Sequence, residues 1–410
     1  SYSDSQKDND INLNKFYTYE KFPKLFGSGE EDMSNIVEIL KSLSEAPGIS
    51  GHEHEVRNVM KDILTPYVDT VTTDGLGSLI ANIKKDDDLP NVMLSAHMDE
   101  VGLMVRYITT DGFIKFQTIG GWLDQAIVGQ RWVISTSSGK VNGISGIKTP
   151  HVMSAEEKSR VFKKENLFLD VGALDKKDAM TRLGIRPGDP ISPISKFERL
   201  NQGDFLLGKA WDDRAGLAVM SGVVETLSEV NLPCNIYAVA TVQEEVGLRG
   251  AHTSSEIVAP DIGINLESGV ASDYPGISEF EAQESLGKGP AIFLHDSSML
   301  PNQNLRDLVE ETASDLEMDL QYNVLSGYGQ DGAEMQRSKG GTPSINITVP
   351  TRYLHSHNSI IHLDDVNKAI KLVSEVVRKL DSETVSKLSL IHISEPTRRT
   401  PISYAVFCLK

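Results

Sequence analysis

The sequence predicts an α/β fold, a mixed sheet flanked by helices, with a small β-rich domain inserted into it. Two observations carry this prediction. Compact apolar runs at residues 91–96 and 235–242 are typical of strands buried in a parallel sheet, and segments with helical spacing lie between such runs. Between residues 103 and 195 short alternating strands predominate, with Asp111-Gly112 and Ser138-Gly139 as hairpin turns, which indicates the inserted domain.

The other elements can be predicted in chain order. Residues 1–32 are polar and acidic, and we expect a flexible extension there. Two more buried strands are predicted at residues 261–266 and 344–349. Apolar residues at helical spacing predict helices over residues 36–43, 56–63, 214–227, 305–316 and 365–380. We therefore expect a discontinuous larger domain, formed by residues 33–102 and 196–387, around the inserted domain of residues 103–195.

Residues 388–410 differ in composition from the rest of the chain. They contain one acid, Glu395, and two prolines, Pro396 and Pro401, with neither a helical nor a strand period. The segment resembles the translation of sequencing-adapter DNA. We expect it to be a non-native tail.

Composition narrows the class of protein. The chain has 410 residues, 39% of them hydrophobic, and a formal net charge of −18. Nucleic acids and anionic membranes select basic surfaces, so we expect neither as a partner. No apolar run approaches the roughly 18 residues of a membrane helix. Two cysteines imply no disulfide framework, which favours the cytoplasm.

Acidic and histidine side chains follow the predicted strands at their C-terminal ends. His97 follows the first run, Glu244 and Glu245 the second, Glu267 the third and His355 the fourth. The carboxyl ends of parallel strands meet at one edge of a sheet, where ligand sites form. With Asp212, at the start of an apolar helix, the set suits two divalent ions, zinc or cobalt first and manganese as a third candidate.

The spacing also suggests a role for each side chain. Asp212 is the natural bridge between the ions; His97 and Glu267 would bind one ion, and Glu245 and His355 would bind the other. Asp99, two residues beyond His97, would hold the second nitrogen of that imidazole.

Glu244 and Asp99 are the two predicted catalytic residues. Consecutive strand residues point to opposite sides, so Glu244 would reach the bridging water as a general base instead of sharing the ion of Glu245. The predicted chemistry is attack of a metal hydroxide on a carbonyl, followed by proton delivery to a leaving amine. That reaction is amide hydrolysis.

Two alternatives remain open at this point. Asp212 and Asp213 could simply cap the helix that follows them, because negative charge is favoured at a helix N-terminus. His357 competes with His355 as a ligand, since it lies two residues further on.

Four sequence blocks, at residues 95–102, 208–214, 243–251 and 350–356, resemble the signatures of the tetrahedral aminopeptidase family. Its members are cytoplasmic aminopeptidases with two co-catalytic metal ions, of glutamyl and leucyl types; some are called endoglucanase M or deblocking aminopeptidase. The resemblance implies a phosphorylase/hydrolase-like catalytic domain with an inserted PDZ-like barrel for oligomerisation. It also implies dimers that assemble into a dodecamer and act on peptides. The ligands and the base would be those named above, with a cis peptide after Asp212.

The chain departs from the family pattern at two places. Glu267 stands where the family usually has aspartate; being one methylene longer, it still suits a metal, and we expect an altered metal preference. Residues 327–334 differ from the usual Gly-Thr-Asp-Ala-Gly-Ala, which leaves the side-chain specificity open.

The leading prediction is therefore a dinuclear metalloaminopeptidase that removes N-terminal residues from peptides. Two alternatives accompany it. One is a dimetal carboxypeptidase or N-acyl deacylase on the same fold, and the other is a catalytically inactive, peptide-binding assembly.

Overall fold

The computed structural model describes residues 30–84 and 86–388. Of the extension predicted over residues 1–32, residues 1–29 lie outside the described residues and residues 30–32 belong instead to a helix; of the tail predicted over residues 388–410, only residue 388 is described, at the end of a helix. The helices are α1 Glu30–Glu45, α2 His54–Leu64, α3 Ala155–Ser159, α4 Lys176–Thr181, α5 Trp211–Ser228, α6 Arg249–Val258, α7 Gln303–Asp315, α8 Gly332–Arg337, α9 Leu363–Arg378 and α10 Ser382–Leu388. The strands are β1 Thr70–Thr73, β2 Leu79–Ile83, β3 Asn91–His97, β4 Gly102–Ile108, β5 Ile114–Ile119, β6 Arg131–Thr136, β7 Gly139–Gly146, β8 Phe168–Asp170, β9 Pro190–Pro193, β10 Glu198–Arg199, β11 Phe205–Gly208, β12 Asn235–Thr241, β13 Ile262–Val270, β14 Ala291–Asp296, β15 Gln321–Leu325, β16 Ser344–Thr351 and β17 Ser359–His362.

A mixed eight-stranded sheet forms the larger part of the molecule, in the order β1-β2-β12-β3-β13-β16-β14-β15. Its four central strands, β12, β3, β13 and β16, pair in parallel, while β2 and β14 join them antiparallel. Thr241 at the end of β12 pairs with His97 at the end of β3. The central strands therefore deliver their carboxyl ends to one edge, as the sequence predicts.

Helix α5 lies against this sheet and is almost entirely buried. Gly216 explains how closely it can approach. A Cβ atom at that position would lie 2.7 Å from the carbonyl oxygen of Leu266 in β13, so any side chain would push the helix away. The close packing brings the start of α5, with Asp212 and Asp213, next to Glu267.

The strands between residues 102 and 193 close into an antiparallel barrel, in the order β4-β5-β8-β7-β6-β9. The barrel has its own apolar core, which includes Leu103, Trp132 and Ile191 and is separate from the core of the large sheet. The predicted fold class, a mixed sheet flanked by helices with an inserted barrel, is confirmed.

The boundary of one strand is wrong in the sequence prediction. The buried run was expected to end at Glu267, but β13 continues to Val270, because residues 263–270 all pair with β16. Glu267 therefore lies inside a strand and not at its end. Among the described helices, none is both long and apolar enough to span a bilayer.

Candidate metal centre

Asp212 lies between two histidines and faces both. Its Oδ1 is 2.9 Å from His97 Nε2, and its Oδ2 is 3.1 Å from His355 Nε2. His97 is the last residue of β3, whereas His355 follows β16 in a loop where it adopts a left-handed φ of 55°. The Asp212–Asp213 peptide bond is cis. A single carboxylate with one oxygen toward each of two imidazoles has the arrangement expected of a bridge.

Asp213, the neighbouring acid, has the capping role. One of its oxygens accepts the backbone N–H of Gly216 at 3.0 Å, and the other accepts that of His97 at 3.1 Å. Both interpretations of the Asp-Asp pair therefore apply, one to each residue. One ligand atom each from His97, Asp213 and Glu267 lie within 4.8 Å of one another. Both oxygens of Asp213 therefore already accept backbone hydrogen bonds.

The two remaining expected ligands each lie beside one histidine. Glu267 Oε1 is 3.5 Å from His97 Nε2, and Glu245 Oε1 is 3.3 Å from His355 Nε2. The structure thus brings together the pairs that the sequence suggested, His97 with Glu267 and His355 with Glu245.

Asp99 has a different contact from the one expected. His97 Nδ1 faces the main-chain oxygen of Asp99 at 2.9 Å, while the Asp99 carboxylate is 3.6 Å away, too far for a hydrogen bond. The carboxylate instead accepts the backbone N–H groups of Glu244 and Glu245, at 3.0 and 3.1 Å, and the hydroxyl of Ser50 at 2.6 Å. Asp99 therefore holds the ring through its backbone and the Glu244–Glu245 turn through its side chain.

Glu244 lies at the edge of the centre. Its Oε2 is 3.9 Å from His97 Nε2, and within the described part of the chain no hydrogen bond to its carboxylate occurs. The carboxylate lines a cavity of about 370 Å³ that also exposes Asp212, Glu245 and Glu267. A fixed backbone with an uncommitted carboxylate at a cavity is suited to accepting a proton.

Burial and crowding shift the pKa of every ionisable group in the centre. Burial raises the pKa of Glu267 to about 7, and it also raises those of Glu244 and Glu245. Burial opposes ionisation of Asp212 too, but hydrogen bonds with the two histidines outweigh it and lower its pKa. Carboxylates that resist ionisation for lack of compensating charge are stabilised by a bound cation.

The donor set fits divalent metal ions. Imidazole nitrogens and carboxylate oxygens together are the ligands of zinc and related ions. Two buried oxygens, Glu245 Oε1 and Glu267 Oε2, accept no hydrogen bond from any described residue. Buried polar atoms are nearly always partnered, and these two oxygens are free to ligate a metal ion.

His357, the competitor of His355, lies elsewhere. It packs against two tryptophans, with ring centroids 5.6 Å from Trp122 and 4.3 Å from Trp132, and its Nε2 donates to the Arg131 carbonyl at 3.2 Å. Burial lowers its pKa to about 4. His357 is therefore a neutral packing residue between the barrel and the large domain.

Four residues that support the centre were not found in the sequence. Ser50 and Glu53 support the Glu244–Glu245 turn. Ser50 donates to Asp99, and Glu53 accepts the backbone N–H of Gln243 at 3.1 Å. Two barrel glycines form a wall. A Cβ on Gly120 would lie 2.9 Å from Glu245 Oε2, and one on Gly121 would lie 3.1 Å from His355 Nδ1. In the sequence these four residues are marked only by a Ser-Gly-x-Glu pattern at residues 50–53 and a Gly-Gly pair at residues 120–121.

Known proteins resemble this chain over most of its length. The family model of the M42 glutamyl aminopeptidases matches residues 77–372. The putative aminopeptidase FrvX of Escherichia coli (strain K12) is 36% identical over 354 residues, which cover 86% of this chain and 98% of that protein.

The chain belongs to the M42 glutamyl aminopeptidase family.

Solved structures extend the likeness of this M42 peptidase to the whole fold. A TET aminopeptidase from a marine sediment Thaumarchaeota archaeon has a TM-score of 0.84 and 39% identity, covering 87% of this chain and 99% of that chain. The Pyrococcus horikoshii TET1 peptidase, which can assemble into a tetrahedron or a large octahedral shell, has a TM-score of 0.76 and 29% identity, with 84% and 100% covered. The predicted resemblance is confirmed, and the M42 peptidase is a metal-dependent aminopeptidase.

Proposed function

We propose that this aminopeptidase binds two divalent ions and uses Glu244 as its general base. His97 and Glu267 would hold one ion, Glu245 and His355 the other, and Asp212 would be shared. The observation that carries the proposal is the position of Asp212, whose two oxygens face two different histidines at 2.9 and 3.1 Å. Zinc or cobalt is the first choice for this donor set, and manganese is the third candidate.

When bound, such ions polarise a peptide carbonyl and lower the pKa of water from about 15.7 to about 7. Glu244 then takes a proton from the attacking water and returns it to the leaving amine. Its backbone is held by Asp99, which fixes the point from which the side chain reaches the centre. Such positioned proton transfer contributes roughly 10²- to 10⁴-fold to the rate.

The cavity favours a free N-terminus over a free C-terminus. Its lining contains Asp212, Glu244, Glu245 and Glu267, and no lysine or arginine is among the described residues that form it. The ammonium of an N-terminus finds there the carboxylate of Glu244, which the proposal leaves free of metal, whereas a C-terminal carboxylate would find no side-chain cation to pair with. This supports exopeptidase action at the N-terminus over the carboxypeptidase alternative.

Glu244→Gln is the first test, with exposed Glu256→Gln as the matched control. We expect Glu244→Gln to retain its metal by elemental analysis and to lose about 10²- to 10⁴-fold in kcat on free peptides. Glu256→Gln should match the wild type. Each peptide is also offered with an acetylated N-terminus, which should not be cleaved. A near-normal kcat in Glu244→Gln would remove it as the base, and preferential cleavage of acetylated peptides would favour a deacylase.

The proposal includes a cytoplasmic homo-oligomer, built from dimers up to a dodecamer through the barrel. Large apolar side chains exposed on the barrel segment support this: Leu123, Ile144, Val152, Val161 and Leu174. The assemblies of the TET1 peptidase support it by analogy. Light scattering coupled to size-exclusion chromatography measures the mass of the oligomer, and Leu174→Asp should reduce that mass. A monomer in the wild type would contradict the proposal.

A further inference from the structure

The cavity beside Glu244 has a second wall that the centre itself does not use. This wall is formed by Leu248 and by the segment Gly327-Tyr328-Gly329. A substrate whose first peptide bond lies at the centre must place the side chain of its first residue close by. The chemistry of this wall therefore decides which N-terminal residues fit.

Tyr328 gives the wall a fixed apolar surface. Its ring stacks on Phe293, with centroids 5.5 Å apart and planes inclined by 21°. Its hydroxyl donates to the carbonyl oxygen of Ser268 at 2.9 Å, so the donor of the side chain is already used inside the protein. The ring presents a carbon surface to the cavity.

The glycines on either side of Tyr328 leave the cavity open. Neither has the left-handed φ that requires glycine, in contrast to Gly247 with a φ of 120°. A Cβ on Gly327 would meet nothing within 4 Å, and the nearest atom to one on Gly329 would be 3.8 Å away. Neither backbone conformation nor packing therefore demands glycine at these two positions. The consequence of their missing side chains is space for a branched or aromatic side chain of the substrate.

The charge of the lining is equally selective. No lysine or arginine is among the described residues around the cavity, so a glutamate side chain would find no side-chain cation there. The wall formed by Leu248 and residues 327–329 contains no acid, so a lysine side chain that lies along it would have no carboxylate to pair with. Transfer of an unpaired charge from water into such a site is strongly unfavourable.

We infer that this cavity receives the first side chain of the substrate and selects uncharged apolar residues, of the leucine, methionine and phenylalanine class, over acidic or basic ones. The inference rests on the proposed function. It differs from the glutamyl specificity in the name of the family.

The test compares leucyl, phenylalanyl, glutamyl and lysyl p-nitroanilides with the metal-loaded wild type. We expect kcat/KM for the two apolar substrates to exceed that for the two charged ones by about 100-fold, since burying an unpaired charge costs several kcal/mol and each 1.36 kcal/mol is a factor of ten. Highest kcat/KM on the glutamyl or lysyl substrate would overturn the inference and leave the proposed function intact. Failure on all four with metal bound would overturn both.

A pair of variants tests the wall directly. Gly327→Arg places a cation where space is available, and Gly327→Met places an uncharged side chain of similar length there. We expect Gly327→Arg to raise the ratio of glutamyl to leucyl kcat/KM by at least about tenfold, a change of 1.36 kcal/mol. Gly327→Met should lower leucyl activity without raising that ratio. Equal ratios in both variants and the wild type would overturn the assignment of this wall.

Discussion

Asp99→Asn perturbs the turn that carries Glu244 and Glu245, while the side chain at position 99 keeps the same size. The buried Asp99 carboxylate accepts both backbone N–H groups of the turn, one on each oxygen, together with the Ser50 hydroxyl. An asparagine keeps one acceptor oxygen and replaces the other with an NH₂ group. One backbone N–H of the turn would then face a donor and lose its partner.

The structure sets the size of the effect. A hydrogen bond to a charged group contributes roughly 1.5–3 kcal/mol, and a buried donor left unpaired costs about 1–3 kcal/mol. We expect a loss of about 2–3 kcal/mol in the free energy of unfolding. The turn can relieve that loss only by moving Glu244, and a displacement of about 1 Å at a reacting group costs roughly 10²-fold in rate.

Asp365→Asn is the matched control. Asp365 is also buried and accepts two backbone N–H groups, those of Gly287 and Gly289, both at 2.7 Å. At pH 8 we expect both variants to lower the thermal midpoint by similar amounts. Asp99→Asn should in addition lower kcat by about 10²-fold with its metal retained. Wild-type kcat in Asp99→Asn, or an equal loss in Asp365→Asn, would refute a positioning role for Asp99.

Two further variants test a pH dependence and the barrel wall. Burial raises the pKa of Glu284 from 4.5 to about 7, so the stability contributed by its neutral carboxyl is present below pH 4.5 and is lost as the pH rises through 7. The shift corresponds to about 3 kcal/mol, and Glu284→Gln should flatten the fall in thermal midpoint between pH 5 and pH 8. Gly121→Ala places a methyl group 3.1 Å from His355 Nδ1 and should make one of the two ions about tenfold easier to remove with a chelator. Gly75→Ala, at a glycine without a left-handed φ and with nothing within 4 Å of its Cβ, is the control and should retain both ions.

Each of these two predictions has an outcome that would contradict it. Parallel pH profiles for wild type and Glu284→Gln would show that this carboxyl is not the source of the pH dependence. If Gly121→Ala and the wild type lose metal at the same chelator concentration, the barrel wall does not influence metal binding at the centre.

Much of the centre could be predicted because strand ends are readable in sequence. The apolar runs that end at His97 and near Glu245 are central parallel strands, and parallel pairing alone brings their ends together. Asp212 could be added because the helix it precedes is strongly apolar. The atoms in contact could not be predicted: Asp99 was expected to orient a ring with its carboxylate, which in fact binds a turn from another strand.

Contacts between distant segments escaped prediction for a physical reason. Ser50 contacts Asp99, 49 residues further along the chain, and Glu53 contacts Gln243, 190 residues further along, and no local period records such contacts. The closure of the barrel by β9, which pairs with both β4 and β6, is equally non-local. The end of β13 was misplaced at Glu267 because a buried polar residue looks like a strand end when the pairing partner is unknown.

The approach of Gly120 and Gly121 to the centre bears on how this protein can be re-engineered. The barrel forms part of the wall around His355 and Glu245, so it is not an exchangeable assembly module. A chimaera that takes its barrel from a relative would therefore also change the residues beside His355 and Glu245, along with any interface that the barrel forms. Designers who exchange the barrel should therefore keep residues 119–123 with the large domain.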